Sequence, residues 1–362
     1  MSPSESSSTS PRDSRNPSAP KLLVIRFSSF GDIVQASPVP AAFHRRYPEA
    51  RIDWLVRGDF APLLKDHPHL HQVIAFDRKE GLRGLIRRAW RLGGEGYTHL
   101  YDAHSNLRSR IFSWVFRTRN WRVNFLRRPK ERIRRWLFFR LRLRHVLPVP
   151  YRGSDSYLWP LKKWGLSTSQ PEGPQFWSKA GLPPDILKRL ETLPRPWVVA
   201  APSAAWEMKR WPIEHWRALV RELRGASIIF VGGPDDDFIS EIAAAAPERT
   251  LNLAGRLTLN ESAALVKKAD LVVSGDTGIL HVADLMERPT LALIGPTAFG
   301  YPSRRTSIVL EVPVSQLPCK PCSKDGRGKC RSDAYKKCLT SLLPETVAHE
   351  AARILGAGKF GV

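Results

Sequence analysis

Short apolar runs alternate with stretches of helical periodicity along most of the chain, and this alternation constrains the fold more than any other feature. Each run has the length of a buried strand. Strands that alternate with helices are typical of βαβ units and of a mostly parallel sheet. The predicted strands are residues 21–26, 51–56, 71–76 and 99–102 in the first half, and 196–201, 226–231, 251–253, 271–274 and 290–294 in the second.

The predicted helices lie between these strands and after the last of them. Pro212 occupies a place where the first turn of a helix accepts proline, and Trp216 and Leu219 continue at helical spacing. The full set of predicted helices runs from the 28–32 turn to residue 47, then over 60–65, 84–92, 212–223, 238–246, 259–268, 278–285 and 344–355.

Length and shifts in composition divide the chain into segments. At roughly 100–200 residues per domain, 362 residues predict about two domains. We therefore predict the α/β class, with two doubly wound domains that face each other across a cleft. The predicted segments are a disordered Ser/Pro-rich tail at 1–20, an N-terminal domain at 21–185, a C-terminal domain at 195–340, and a C-terminal helix and tail at 341–362.

The first predicted strand runs into a Ser-Ser-Phe-Gly-Asp sequence at residues 28–32. In open α/β sheets, ligands bind beyond the carboxyl ends of the strands. Gly31 would allow a tight turn there, and the carboxylate of Asp32 could take a proton from a hydroxyl group. The alternative is that Asp32 only caps the following helix.

Two strand ends in the second half carry further candidate residues. Residues 274–281 read Ser-Gly-Asp-Thr-Gly-Ile-Leu-His, so the backbone N–H groups near Thr277 and Gly278 could bind an anion. Alternatively, Asp276 is a plain helix cap and His281 a core histidine. Lys209 follows another strand and could pair with phosphate oxygens, or it could be a solvated lysine. The chain has neither a GxGxxG fingerprint nor a Walker A loop.

Taken together, these strand ends resemble glycosyltransferase family 9, the ADP-heptose:lipopolysaccharide heptosyltransferases. The resemblance extends from about residue 21 to residue 352 and is strongest at 28–32, 209–212, 276–281 and 295–297. It implies a GT-B architecture, in which two Rossmann-like domains face each other across a cleft. It also implies that the N-terminal domain binds the acceptor and the C-terminal domain binds the nucleotide sugar.

The resemblance assigns roles to individual residues. Asp32 falls on the family's proposed general base, and Lys209 on the basic residue that steadies the donor phosphates. Two threonines that some members have before the lysine are replaced here by Ala204 and Ala205, so Ser203 is the candidate for part of that contact. The other donor-side candidates are Asp236, Leu257, Asp276, Thr277, Gly278 and His281, and the acceptor-side candidates are Ser28, Ser29, Gly31, Arg127, Arg128 and Lys130.

The mechanism that the resemblance implies is a single displacement with inversion, in which a heptose moves from ADP-heptose to the inner core of lipopolysaccharide. Asp32 would remove the proton of the acceptor hydroxyl, and Lys209 with the helix that begins near Thr277 would offset charge on the leaving ADP. No metal or other cofactor would be required for catalysis, because fixed cations and the helix N-terminus would take the role of Mg²⁺.

A formal net charge of +23 indicates an anionic partner. Between residues 106 and 147 there are fourteen Lys or Arg and one acid, Glu131, interleaved with aromatic and aliphatic residues. A solvated helix face, nucleic-acid binding and contact with an anionic membrane are the three interpretations. No recognised nucleic-acid-binding module surrounds the segment, so we favour the membrane for residues 127–145 and expect no nucleic-acid partner.

The four cysteines lie at positions 319, 322, 330 and 338, in a C-x2-C-x7-C-x7-C pattern. Four thiolates could hold a structural zinc ion, but the second C-x2-C pair of a zinc ribbon is missing. Cysteines in this region also recur in some members of the resembling family without a catalytic role. Both interpretations of Cys319, Cys322, Cys330 and Cys338 stay open at the level of sequence.

No window of 18 or more uninterrupted apolar residues is present, so no membrane-spanning helix is expected. The resemblance implies a cytoplasmic enzyme, peripheral on the inner face of the inner membrane. Two alternatives share the scaffold: a non-catalytic protein that binds polyanions or membranes, and a related transferase that uses another nucleotide sugar. A nucleotide-dependent oxidoreductase is disfavoured, because no glycine fingerprint follows the first strand.

Overall fold

The structure, a computed structural model, describes residues 19–357. Within this range the chain forms two sheets, both parallel throughout. The first sheet contains β1 (Lys21–Ile25), β2 (Arg51–Arg57), β3 (Gln72–Phe76), β4 (His99–Asp102) and β5 (Asn124–Arg127). The second contains β6 (Trp197–Ala201), β7 (Ser227–Phe230), β8 (Thr250–Asn252), β9 (Leu271–Gly275), β10 (Thr290–Leu293) and β11 (Ile308–Leu310).

The α-helices connect the strands and cover both sheets. They are α1 (Phe30–Ala36), α2 (Pro38–Arg46), α3 (Gly81–Gly93), α4 (Leu107–Arg119), α5 (Arg132–Arg140), α6 (Gly153–Leu158), α7 (Pro184–Glu191), α8 (Ile213–Glu222), α9 (Phe238–Ala243), α10 (Leu259–Lys268), α11 (Gly278–Leu285), α12 (Lys337–Thr340) and α13 (Pro344–Ala357). Short 3₁₀ segments lie at Gly58–Leu64, Arg78–Glu80, Arg144–Val146, Trp159–Trp164 and Glu207–Lys209.

Each sheet changes winding direction at its centre. The strand order is β3-β2-β1-β4-β5 in the first sheet and β11-β10-β9-β6-β7-β8 in the second. A crevice therefore opens beyond the carboxyl ends of β1 and β4, and another beyond those of β6 and β9, which are the switch points where ligands bind in such sheets. The prediction of two doubly wound α/β domains is confirmed.

Local sequence explains where several of these elements begin. Pro38 at the first turn of α2 divides the predicted helical stretch between residues 33 and 47 into α1 and α2. Helix α10 begins with a capping box, in which Thr258 accepts from the backbone of Glu261 and Glu261 reaches back to Thr258. The central strands β1 and β6 are apolar and almost wholly buried, as parallel strands covered on both faces must be.

Two strands, β5 and β11, and several helices, α4, α6, α7 and α12 among them, are not among the predicted elements. The edge strands β5 and β11 are four and three residues long and only partly buried, so their apolar signal is weak. Helices α6 and α7 lie between residues 148 and 196, where frequent proline and glycine obscure a helical pattern. The domain boundaries at residues 185 and 195 stay predictions, and the terminal tails at 1–18 and 358–362 lie outside the described residues.

His67 lies where the N-terminal domain meets the segment that leads to the second domain. Its Nδ1 accepts from the backbone N–H of His69 at 3.2 Å, and its Nε2 lies 2.9 Å from the carbonyl oxygen of Ser37. The Ser37 hydroxyl in turn donates to the carbonyl of Gln175. Because one ring nitrogen accepts and the other donates, His67 is neutral, and burial lowers its pKa to about 3.

The buried imidazole of His67 predicts acid lability. Below pH 6.5 the His67 imidazole is protonated in the unfolded chain but stays neutral in the folded chain. The free energy of unfolding therefore falls as the pH drops toward 3. The contribution is at most about 1.4 kcal/mol per pH unit. Denaturant unfolding at pH 7.5 and pH 5 measures how much the free energy of unfolding decreases between the two. This decrease should be smaller for His67→Gln than for the wild type. For His145→Gln, at an exposed position, it should equal that of the wild type. Equal losses in both variants would contradict this account.

Candidate active site

The two switch points face each other across a cleft of about 640 Å³. From the N-terminal domain, the end of β1 and the start of α1 bring Arg26, Ser29 and Asp32 to its wall. From the C-terminal domain, the segment after β6 contributes Lys209, and the junction of β9 and α11 contributes the 276–281 segment. The cleft therefore joins the three strand ends that the sequence singled out.

Asp32 is held by three neighbours. One carboxylate oxygen accepts from the Arg26 guanidinium at 2.5 Å and from the Ser29 hydroxyl at 2.9 Å. The other oxygen accepts from the hydroxyl of Tyr157 at 3.0 Å. The Asp32 side chain is 38% exposed, so it stays open to the cleft although its partner Arg26 is buried. The interpretation of Asp32 as a plain helix cap is therefore incomplete, since residues distant in sequence also position its carboxylate.

The electrostatic surroundings keep Asp32 ionised. Burial alone would raise its pKa, but the charges of Arg26 and Arg128, with hydrogen bonds from Ser29 and Tyr157, outweigh that effect and hold the pKa well below its usual range. The carboxylate is therefore charged at every physiological pH, and it can accept a proton only from a group that is itself becoming acidic.

Lys209 and Asp276 form an ion pair on the opposite wall. The Nζ of Lys209 lies 2.9 Å from Oδ2 of Asp276, which also accepts from the Thr297 hydroxyl at 2.8 Å. Burial raises the pKa of Asp276, but the charge of Lys209, with the hydrogen bonds from Lys209 and Thr297 and a contribution from His281, outweighs that effect, so the net shift is downward. Since an ammonium has three donors, Lys209 has donors left for a ligand beside Asp276.

His281 links the two walls of the cleft. The Gln35 amide nitrogen, on α1, lies 2.6 Å from its Nε2, and a carboxylate oxygen of Asp276 lies 4.0 Å away. Burial lowers the pKa of His281 to about 4, so the ring is neutral. With Nε2 accepting from Gln35, the proton lies on Nδ1, which has no hydrogen-bond partner among residues 19–357.

Helices α1 and α11 touch through two glycines. A Cβ atom at Gly278 would lie 2.1 Å from a ring carbon of Phe30, and a Cβ atom at Gly31 would lie 3.3 Å from the His281 ring. The absence of a side chain at Gly31 therefore lets the other domain approach closely. Thr277 caps α11 with its hydroxyl, which accepts from the backbone N–H of Leu280.

The Gly278 contact predicts a steric effect of a single methyl group. Gly278→Ala should lower the free energy of unfolding by about 1–3 kcal/mol, because Phe30 and α11 must move apart. Gly225→Ala is the matched control, since a Cβ atom there meets no atom within 4 Å. Denaturant unfolding of both variants measures the difference, and two equal stabilities would show that the domains do not pack through Gly278.

Most of the predicted site residues meet in the cleft, but five do not line it. Ser28 lies in a neighbouring groove, and Arg127 pairs with the buried Asp102 at 3.0 Å. Asp236 accepts from the backbone N–H of Gly233 and lies beside Arg210. Ser203 and Leu257 are likewise absent from the cleft lining, whereas ten predicted residues belong to it: Ser29, Gly31, Asp32, Arg128, Lys130, Lys209, Asp276, Thr277, Gly278 and His281.

The structure adds residues, in the cleft lining or directly behind it, that the sequence did not single out. Arg26 directly follows β1, and His104 lies just after β4, so the strand-end rule could have found both. Tyr157, on α6, reaches Asp32 from 125 residues away and carries no local signal. The remaining additions to the cleft lining are Phe30, Gln35, Arg135, Tyr151, Gly153, Ala205, Trp206, Phe299, Lys324, Asp325 and Arg327.

Part of the basic segment contacts the C-terminal domain. Phe138 is buried in an apolar cluster that also contains Ala298 and Phe299. The guanidinium of Arg142 donates to the carbonyls of Cys319 at 3.2 Å and Pro321 at 3.1 Å. The expectation that residues 127–145 serve a membrane did not foresee this contact between domains.

The four cysteines are free thiols. Cys338 is buried against the core of the C-terminal domain, whereas Sγ of Cys330 accepts from the backbone N–H of Lys336. Among residues 19–357 the structure holds no group of three or more His, Cys, Asp or Glu side chains arranged to bind a metal ion. The zinc interpretation of Cys319, Cys322, Cys330 and Cys338 therefore finds no support in the structure.

The helices of the described chain are too short or too polar to cross a lipid bilayer. The longest of them, α13, has 14 residues, fewer than the roughly 20 that a span requires.

Comparisons with known proteins agree with this geometry. Residues 159–330 match the model of glycosyltransferase family 9 (heptosyltransferase). Lipopolysaccharide heptosyltransferase 1 of Pseudomonas aeruginosa is 26% identical over 358 residues, which span 92% of this chain and 98% of that protein.

Solved structures share the fold. The glycosyl transferase family 9 from Veillonella parvula aligns with a TM-score of 0.72 at 19% identity, over 93% of this chain and 97% of that one. The E. coli heptosyltransferase WaaC with ADP-2-deoxy-2-fluoro heptose aligns with a TM-score of 0.58 at 18% identity, over 92% and 99%. These neighbours confirm the GT-B architecture. The family match over residues 159–330 and the heptosyltransferase relatives confirm the resemblance to glycosyltransferase family 9 and support a glycosyltransferase enzyme.

Proposed function

We propose that this enzyme transfers a heptose from ADP-heptose to the inner core of lipopolysaccharide, with inversion at the anomeric carbon. One observation carries the proposal: an ionised carboxylate, Asp32, lies on one wall of the cleft, opposite the Lys209–Asp276 pair at the second switch point. The names of the matched proteins, a lipopolysaccharide heptosyltransferase and a heptosyltransferase with an ADP-heptose analogue, support the choice of donor and acceptor.

The donor belongs on the wall formed by the C-terminal domain. The ADP diphosphate would lie against Lys209 and the first turn of α11, where backbone N–H groups and the helix dipole favour an anion. Nδ1 of His281 is a further donor, since it carries a proton and has no partner within the described residues. The cations supply the charge that a divalent metal provides in other transferases, so we propose that transfer proceeds without one.

The acceptor hydroxyl would lie against Asp32. Its oxygen forms a bond to the anomeric carbon as the bond to the diphosphate breaks, and that electron pair leaves with ADP. The proton passes to Asp32, which Ser29 and Tyr157 hold in place. Because the displacement occurs on the face opposite the diphosphate, the configuration inverts.

The acceptor side of the cleft is strongly cationic. Arg26, Arg128, Lys130 and Arg135 line it, which suits an acceptor rich in phosphate and carboxylate groups. An acceptor anion that pairs with Arg26 or Arg128 would also weaken the field that holds the pKa of Asp32 low. We therefore propose that acceptor binding raises the pKa of Asp32, so that Asp32 is a stronger base when the acceptor hydroxyl is in place. A lipid-linked acceptor of this kind would place the enzyme on the cytoplasmic face of the inner membrane.

A panel of nucleotide sugars tests the donor assignment. The purified protein is incubated with ADP-heptose, ADP-glucose, UDP-glucose or GDP-mannose, and nucleotide release is measured before and after addition of a core acceptor, with and without EDTA. We expect acceptor-dependent release from ADP-heptose only, unaffected by EDTA. Acceptor-dependent release from a different nucleotide sugar alone would show that this sugar nucleotide, and not ADP-heptose, is the donor. Loss of activity with EDTA would show that transfer requires a metal ion.

A further inference from the structure

Helices α3 and α4 expose an apolar stripe on the outer surface of the N-terminal domain. On α3, Leu82, Ile86 and Trp90 recur every four residues and are exposed, while the neighbouring side of the helix, with Leu85, Ala89 and Leu92, packs into the core. On α4, Leu107 is 72% exposed and Trp114 is 69% exposed. Large apolar side chains this exposed on two packed helices are typical of an interaction site.

The two helices present one continuous face. Near their N-termini a groove of about 250 Å³ runs between them, lined mainly by Leu82, Leu85, Leu107 and Ile111. Near their C-termini the guanidinium of Arg119 on α4 lies 5.1 Å from the centre of the Trp90 ring on α3. We call this surface the α3–α4 face; it consists of the exposed residues of Gly81–Gly93 and Leu107–Arg119.

The α3–α4 face is also mainly cationic. The two helices contain eight arginines and no Asp or Glu. Just outside α3, Glu80 pairs with Arg88 and Glu95 with Arg91, whereas the other six arginines form no ion pair among residues 19–357. Arginines around an exposed aliphatic and aromatic stripe are typical of a surface that binds a layer of anionic groups with an apolar layer beneath it, as in a lipid bilayer. A nucleic acid has the anionic groups but no apolar layer. The arginines are Arg83, Arg87, Arg88, Arg91, Arg108, Arg110, Arg117 and Arg119.

The α3–α4 face is continuous with the active-site cleft. His104 lines both the cleft and a second groove, which Leu107 and Arg108 also line. The same Leu107 and Arg108 line the groove between α3 and α4. The cleft that bears Asp32, the second groove and the groove at the N-terminal ends of α3 and α4 therefore adjoin one another in a row.

We propose that the α3–α4 face docks the enzyme on an anionic lipid bilayer. The apolar stripe enters the headgroup region, and the surrounding arginines pair with lipid phosphates. A lipid-linked acceptor would then extend its sugars along the path past His104 to Asp32 while its acyl chains remain in the bilayer. The docking itself rests only on this surface, whereas the path of the acceptor rests on the proposed function.

Vesicle co-sedimentation tests the docking. Full-length protein is mixed with vesicles of phosphatidylglycerol and phosphatidylcholine, or of phosphatidylcholine alone. We expect binding to the anionic vesicles that is about tenfold tighter and that weakens with salt. Trp90→Ser/Trp114→Ser should lower this binding about tenfold, whereas Ile133→Ser/Trp136→Ser, the matched change on α5, should alter it less than about twofold. ADP affinity and thermal unfolding show that each variant is folded.

Several results would overturn the docking. These are equal binding to neutral vesicles, full binding by the α3–α4 variant, loss of binding by the α5 variant instead, and displacement from vesicles by a short DNA duplex. A separate assay addresses the acceptor: the α3–α4 variant should transfer normally to a delipidated acceptor and poorly to one embedded in vesicles. Vesicle binding with no transfer to either acceptor would leave the docking standing and reject the proposed function.

Discussion

Asp32→Asn is expected to lower the turnover of sugar transfer by about 10²–10⁴-fold and to leave donor affinity nearly unchanged. The amide keeps the size of the carboxylate but cannot take the proton of the acceptor hydroxyl. Donor contacts are unaffected, since Lys209 and α11 lie on the opposite wall. Turnover is measured by ADP release and ADP affinity by calorimetry. The substitution leaves the buried Arg26 without its carboxylate, so thermal unfolding is followed alongside.

Asp59→Asn provides the matched control for Asp32→Asn. Asp59 also pairs with an arginine, Arg57, but it lies outside the cleft and is more than half exposed. We expect its turnover to stay within about twofold of the wild type. Turnover near the wild-type level in Asp32→Asn would remove Asp32 from the role of base, and loss of ADP binding in that variant would show a structural effect instead.

Lys209→Met is expected to weaken donor binding and to reduce turnover by about 10²–10³-fold, because the transition state gathers negative charge on the departing diphosphate. Methionine has nearly the same length as lysine, so it fills the space that the Lys209 side chain occupies beside Gly326. A Cβ atom at Gly326 would lie only 2.6 Å from carbon atoms of Lys209. Asp276 loses its ammonium partner, and its unpaired negative charge then repels the phosphates of the donor.

The control for Lys209→Met is Lys267→Met, at an exposed position on α10. Steady-state kinetics with varied donor separate binding from turnover, and calorimetry gives the affinity for ADP. We expect the control to match the wild type in both. An Lys209→Met variant with normal ADP affinity and normal turnover would show that the diphosphate is bound elsewhere.

Strand positions and strand ends were predictable because parallel strands buried on both faces leave continuous apolar runs. The predicted run at 99–102 coincides with β4, and helix α10 has the predicted bounds 259–268. Asp32, Lys209 and His281 follow such runs, and the switch-point geometry then brings them to one cleft.

Contacts between distant segments were not predictable from spacing. Tyr157 reaches Asp32 from a helix hidden in a Pro-rich stretch, and Gln35 meets His281 across the two domains. The contacts of residues 127–145 were likewise not predictable. Their composition favours a membrane surface, but Phe138 and Arg142 in this segment contact the C-terminal domain. Composition indicates which kinds of partner could bind a segment, whereas tertiary packing determines which surface of that segment is exposed and able to bind.

Mass spectrometry of the acceptor tests the central claim most directly. A lipopolysaccharide core acceptor is incubated with ADP-heptose and either the wild-type enzyme or Asp32→Asn, and the mass of the acceptor is then measured. We expect the wild-type enzyme to add heptose and the variant to leave the acceptor unchanged over the same period. An acceptor unmodified by the wild-type enzyme with ADP-heptose, but modified with a different nucleotide sugar, would contradict it.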